Sequence, residues 1–126
     1  MTKDITILVV DDEFPEVPLQ DLAEHFGVRI TISRNERAAG VFLNSEVADL
    51  KLILMDGYLD PMRERPRDTE DLVRWIRRHG YQGSMIAISS DGKVSEKLVR
   101  AGCNEAWSKD EVIPRLKEWI KKEQAA

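Results

Sequence analysis

Along this chain, short apolar runs alternate with stretches whose apolar residues recur at helical spacing. Five runs have strand length, at 5–10, 28–32, 52–55, 85–88 and, more briefly, 105–108. The first, third and fourth are almost continuously apolar, as strands covered on both faces of a parallel sheet should be. The second alternates apolar with polar and the fifth is short, so both are expected at sheet edges. Between the runs the period becomes helical. Leu19, Leu22, Ala23 and Phe26 fall at i, i+3, i+4 and i+7, with Pro18 in the first turn and Gly27 closing. Ser33 to Glu36 has capping-box spacing ahead of Ala38, Ala39, Val41, Phe42 and Leu43. Leu72, Val73, Trp75 and Ile76 follow a start at Asp68-Thr69 and stop at Gly80. Val94, Leu98 and Val99 predict a fourth helix ended by Gly102, and Val112, Ile113, Leu116, Trp119 and Ile120 a fifth with Pro114 in its first turn. Strict β–α alternation with no repeat or linker predicts one doubly wound α/β domain over 1–126.

Composition narrows the functions such a domain could have. A length of 126 residues suits a single domain. Nineteen Lys and Arg against 23 Asp and Glu leave a net charge of −4, which excludes the broad basic footprint of an autonomous nucleic-acid binder. The apolar runs are far shorter than a membrane span, and no basic-then-apolar leader opens the sequence, so a cytoplasmic protein is expected. A single cysteine, Cys103, excludes an internal disulfide or a Cys-rich zinc site and reads as buried filler. The two histidines, His25 and His79, are too few for a metal cluster and sit near predicted helix C-termini, where a cation offsets the dipole. Lys117, Lys121 and Lys122 read as a solvated helix face.

The chemistry is concentrated where the strands end. The first run closes on Asp11-Asp12-Glu13, the third on Asp56-Gly57, the fourth on Ser89-Ser90-Asp91-Gly92, and the fifth on Lys109. Ligands of open parallel sheets bind at the carboxyl ends of the strands, so Asp11, Asp12, Asp56, Ser89 and Lys109 should converge on one rim. Three crowded carboxylates repel one another and raise some of their pKa values. A hard divalent cation relieves this, and Mg²⁺ prefers a few oxygen ligands plus water and phosphate oxygens. Asp56 could then attack phosphorus to give an aspartyl phosphate, with Lys109 and Ser89 neutralising and orienting the transferring oxygens.

These strand-end motifs resemble those of the receiver domains of two-component response regulators. The likeness rests on Val9-Val10-Asp11-Asp12-Glu13, Leu52-Ile53-Leu54-Met55-Asp56, Met85-Ile86-Ala87-Ile88-Ser89-Ser90 and the stretch from Ala101 to Lys109, and it spans the chain from about Ile5 onward. It implies a flavodoxin-like, five-stranded parallel sheet of order 2-1-3-4-5 with five helices. It further implies phosphoryl transfer from a histidine kinase or phosphotransfer protein to Asp56, with Mg²⁺ as the cofactor. By position, Asp11 and Asp12 form the acidic pocket, Asp12 being the direct Mg²⁺ ligand of the two. Asp56 is both acceptor and ligand, and the backbone carbonyl of Tyr58 completes the protein ligands. Ser89 takes the switch position and Lys109 that of the phosphate-pairing lysine. Such a chain is a phosphoacceptor with only self-catalysed phosphorylation and dephosphorylation. It is expected to be a monomer or weak dimer that signals through an unknown downstream protein, without direct nucleic-acid or membrane contact.

Several positions depart from the family pattern. Asp110 replaces the proline that usually follows the lysine, which predicts a trans bond there and room for a displaced Lys109. Ala106 replaces the usual aromatic, and Trp107 beside it is expected to be core. The loop after Asp56 is long, its proline falls one place late at Pro61, and the charged stretch 61–68 reads as a solvated loop. Pro15 and Pro18 delay the first helix, which in this family docks the phosphotransfer domain. Tyr58 and Asp91, two residues beyond Asp56 and Ser89, would flank the approach of water, so bulky Tyr58 should slow dephosphorylation. Two other readings compete with a working receiver. One is a pseudo-receiver, an interaction module with little or no phosphotransfer. The other is an aspartyl-nucleophile phosphohydrolase of haloacid-dehalogenase type, disfavoured because Asp-x-Asp is missing after the first run and no room remains for a cap. Phosphate-binding glycine loops are absent as well.

Overall fold

The computed structural model describes residues 4–45, 49–59 and 69–126. Its elements run β1 (Thr6–Val10), α1 (Glu16–Phe26), β2 (Arg29–Ser33), α2 (Glu36–Ser45), β3 (Leu50–Asp56), α3 (Glu70–Arg78), β4 (Ser84–Ile88), α4 (Gly92–Ala101), β5 (Glu105–Trp107) and α5 (Val112–Ala125). A 3-10 turn, Lys109–Glu111, leads into α5. The strands pair in parallel in the order β2-β1-β3-β4-β5, so the alternating and short runs do take the two edges. This is the flavodoxin-like arrangement that the resemblance implies.

Alternation along the central strands divides the core between two layers, since successive side chains point to opposite faces. Leu8, Val10, Ile53, Met55, Met85 and Ala87 pack beneath α2, α3 and α4. Ile7, Val9, Leu52, Leu54, Ile86 and Ile88 pack against α1 and α5, through Leu19, Leu22, Val112, Leu116 and Ile120. Each fully buried Leu or Ile contributes roughly 1.5–3 kcal/mol. The core is therefore strongest around β1, β3 and β4, the strands that carry Asp11, Asp56 and Ser89 at their ends. Trp107 is buried in the second layer and Cys103 in the first, both as expected. Burial also pushes the Cys103 thiol up to about 12, which suits filler and not a nucleophile.

Element ends differ from expectation in one informative place. Ser33 does not cap α2; it is the last residue of β2, paired with Val10, and its carbonyl accepts the Asp11 N–H at 3.1 Å. The cap is Asn35, whose Oδ1 accepts the Ala38 N–H at 2.8 Å. Pro15 stands at the N-cap of α1 and Pro18 in its first turn, where a missing N–H costs nothing. All described peptide bonds are trans, including the one after Lys109. Among the described residues, no helix is long and apolar enough to cross a membrane. The 61–68 stretch, with Pro61, and the Asp68 half of the expected α3 start lie outside the described residues.

Candidate functional site

Sheet register brings the acidic residues together. Val10 pairs with Met55 across β1 and β3, so Asp11 and Asp56 leave neighbouring strands at the same level. Asp56 in turn pairs with Ile88 and Ile88 with Trp107, which sets Ser89 and Lys109 along the same rim. Carboxylate oxygens of Asp11, Asp12 and Asp56 all lie within 4.8 Å of one another. Asp11 is wholly buried, Asp56 is 5% exposed, and Asp12 is half-buried.

Asp11 divides its work between its two oxygens. Oδ1 accepts the backbone N–H groups of Glu13 and Phe14, both at 2.9 Å, and so closes the turn after β1. Oδ2 is buried with no hydrogen bond among the described residues, although Lys109 Nζ lies 3.2 Å away. The same Nζ stands 3.1 Å from Asp56 Oδ1. Despite the trans bond to Asp110, Lys109 is thus not displaced from the site. Asp56 Oδ1 also accepts the Gly57 N–H at 2.7 Å, which leaves Oδ2 as the oxygen without a partner among the described residues.

Electrostatics set the two partners in opposite balances. Burial, then the charge of Asp11, pushes Asp56 up to about 6, against the pull of Lys109 and the Gly57 N–H. Burial alone would lower Lys109, but its hydrogen bond and charge pairing with Asp56, together with Asp11, outweigh this and raise it. Three carboxylates against one ammonium leave an excess of negative charge around Asp11 Oδ2, a buried oxygen that the Lys109 ammonium pairs with by charge. That donor set fits a small divalent cation that prefers oxygen, such as Mg²⁺. Asp11 Oδ2, Asp12 and Asp56 Oδ2 are the atoms open to it.

Ser89 is 8% exposed, and its Oγ accepts the Asp91 N–H at 3.1 Å. It lies against Gly57 so closely that a Cβ there would come within 2.7 Å of Ser89 Oγ. Glycine after Asp56 is what lets the two strand ends meet. Tyr58, 44% exposed, stands beside the site. The base of the long loop is closed by Thr69, which is fully buried. Its hydroxyl donates to the Asp56 carbonyl at 2.5 Å, and its N–H donates to the Gly57 carbonyl at 3.0 Å. Sequence reading gave Thr69 only a helix start. The other residue it missed is Arg34, read merely as a spacer within a cap, whose guanidinium reaches the turn after β1. Ala106 is exposed on β5, and a shallow hollow lined by it, Ser95, Glu96, Val99 and Arg100 lies against α4.

No protein-family model matches the sequence, and no curated protein matches it. Solved structures do. A response regulator from Thermotoga maritima superposes with a TM-score of 0.74 at 23% identity, covering 98% of this chain and 99% of that one. The signal receiver domain of a putative Luxo repressor protein from Vibrio parahaemolyticus gives 0.73 at 20% identity, over 97% and 91% of the two chains. A response regulator receiver domain protein from Methanospirillum hungatei gives 0.72 at 16%, over 97% and 98%. The chain therefore has the fold of response-regulator receiver domains, as its strand-end motifs implied.

Proposed function

We propose that this domain is a phosphorylatable receiver in which Asp56 accepts a phosphoryl group from the phosphohistidine of a histidine kinase or phosphotransfer protein. The observation that carries this reading is Lys109 Nζ bridging Asp11 and Asp56 at 3.2 and 3.1 Å. That arrangement leaves Asp56 Oδ2 as nucleophile and holds a cation where an oxygen of the incoming group would develop charge. In the transfer, the P–N bond to the donor imidazole breaks and a P–O bond to Asp56 Oδ2 forms, the imidazole leaving to regain a proton from water. Lys109 then pairs with one phosphoryl oxygen. Ser89, whose Oγ accepts the Asp91 N–H, keeps its hydroxyl proton to donate to another. Mg²⁺, when bound by Asp11, Asp12, Asp56 and the Tyr58 carbonyl, would offset the charge of the transferring phosphoryl group. Hydrolysis returns Asp56 and inorganic phosphate. At pH 7.5, Asp56 is mostly ionised even with its pKa near 6, so the nucleophile is available.

Ala106, exposed where an aromatic is expected, favours a second reading, an interaction module that keeps the fold without useful phosphotransfer. One experiment separates the two. The protein is incubated with Mg²⁺ and acetyl phosphate, or with Mg²⁺ and BeF₃⁻, and followed by intact mass and amide chemical shifts. A receiver gains one phosphoryl group that Asp56→Asn does not gain, and its shifts move around Asp56, Ser89 and Lys109. No mass gain and no shift with either reagent would leave only the interaction module.

A further inference from the structure

The turn that presents Asp11 and Asp12 is fastened from outside its own segment. Arg34 Nη1 donates to the Phe14 carbonyl at 2.7 Å and to the Asp11 carbonyl at 3.3 Å. These bonds span 20 and 23 residues. Both ends of the turn thus meet at a single nitrogen. The base of the arginine is itself fixed on either side. Ser33 before it accepts the Asp11 N–H, and Asn35 after it caps α2. Within the turn, Asp11 Oδ1 takes the Glu13 and Phe14 N–H groups. The backbone N–H and C=O of Asp11, the C=O of Phe14 and one Asp11 carboxylate oxygen are all accounted for. Asp11 Oδ2 and the Asp12 carboxylate are left beside Asp56.

We infer that Arg34 is a positioning residue for the acidic pocket: by clamping the Asp11–Phe14 turn from the β2–α2 connection, it fixes where the Asp11 and Asp12 carboxylates point. The inference rests on the metal-binding role proposed above but concerns the chain's own order. Groups that orient metal ligands typically contribute 10- to 100-fold to affinity. Simple electrostatics predicts the opposite sign. A guanidinium near a dication repels it, so removing the charge alone should tighten binding.

Arg34→Met and Arg34→Lys, compared with wild type, test this by three readouts: Mg²⁺ affinity by calorimetry, hydrogen exchange at the Glu13 and Phe14 amides, and urea denaturation. Arg34→Met should weaken Mg²⁺ by about tenfold or more and expose both amides to exchange. Arg34→Lys should recover most of both, because one ammonium nitrogen can serve the two carbonyls that one guanidinium nitrogen serves now. Unchanged or tighter Mg²⁺ binding by Arg34→Met, with both amides still protected, would overturn the inference, even if denaturation shows lost stability. Should wild type bind no Mg²⁺, the metal role falls, and amide protection alone decides whether Arg34 orders the turn. If Arg34→Met fails to fold, Arg34→Lys and Arg34→Gln supply the same comparison, with protection and affinity falling in Gln and holding in Lys.

Discussion

Burial of Asp56 should make the metal-free domain less stable at neutral pH than at acid pH, and Asp56→Asn should remove that loss. The folded protein raises this carboxyl from 3.8 to about 6, so over that interval it holds a proton more tightly than the unfolded chain does. Stability therefore falls as pH rises through that range, because ionisation favours the unfolded state. The rise corresponds to about 3 kcal/mol at full ionisation, and about 2–3 kcal/mol once solvent at the rim is allowed for. The Lys109 contact is already contained in this balance, since it acts to lower the same pKa. Asparagine has nearly the shape of the protonated acid and never ionises. Urea denaturation in EDTA, followed by circular dichroism from pH 4 to 8, should show Asp56→Asn ahead of wild type by about 2–3 kcal/mol at pH 7.5. The two should converge near pH 4. Saturating Mg²⁺ should shrink or reverse the gap, because the cation stabilises only the state that binds it. An Asp56→Asn protein weaker than wild type at pH 7.5 would mean that pairing with Lys109 outweighs burial, and a gain that is constant across pH would mean that ionisation of Asp56 is not its source.

Gly57→Ala should cost about 1–3 kcal/mol in urea denaturation, since its Cβ would meet Ser89 Oγ and Val94 Cγ1, each at 2.7 Å, in a packed corner. A partial recovery with Val94→Ala added would identify that contact as the cause. Arg77→Met should cost about 2–4 kcal/mol, because it strips donors from the Gly102, Tyr81 and Gly83 carbonyls and from Asn104 Oδ1. Its Mg²⁺ affinity by calorimetry should match wild type, as those bonds gather at the end of the sheet away from Asp56. Tyr58→Ala should shorten the lifetime of the aspartyl phosphate, measured by loss of the added mass after the donor is removed. An unchanged lifetime would mean that Tyr58, 44% exposed, does not screen the phosphoryl group.

The architecture was legible because burial on both faces leaves an unbroken apolar record. Residues 52–55 of β3 and 85–88 of β4 are all buried, and their sequence shows no polar interruption. The rim was legible because polar residues follow those runs directly. The fastenings were not. Thr69 bonds to the Asp56 carbonyl across 13 residues, Arg34 to that of Asp11 across 23, and Arg77 to that of Gly102 across 25. Each is a side chain serving a distant backbone carbonyl, and any polar residue at that place would have read the same locally. Ser33 misled for a related reason. Its spacing to Glu36 satisfies a capping pattern, but pairing with Val10 keeps it in the sheet, and the cap passes to Asn35.

Two departures from the receiver pattern, Ala106 and Asp110, flank Lys109 on the chain and differ in consequence. Asp110 after the lysine is offset locally. Ser108 Oγ donates to Glu111 Oε1 at 2.6 Å, the Glu111 N–H donates to the Ser108 carbonyl at 3.0 Å, and Arg115 holds Glu111 at 2.8 Å. This 3-10 turn delivers Lys109 to both carboxylates with every peptide trans. Ala106 has no such replacement. The neighbouring Trp107 is committed to the core on the α1 and α5 side, which leaves the hollow beside Val99 open. Ser89 connects instead to α4, since its Oγ accepts the Asp91 N–H and Asp91 Oδ1 caps that helix through Lys93 and Val94. Lys109 and the carboxylates it bridges are therefore held independently of the Ala106 position. Through Asp91, Ser89 is hydrogen-bonded to the N-terminus of α4.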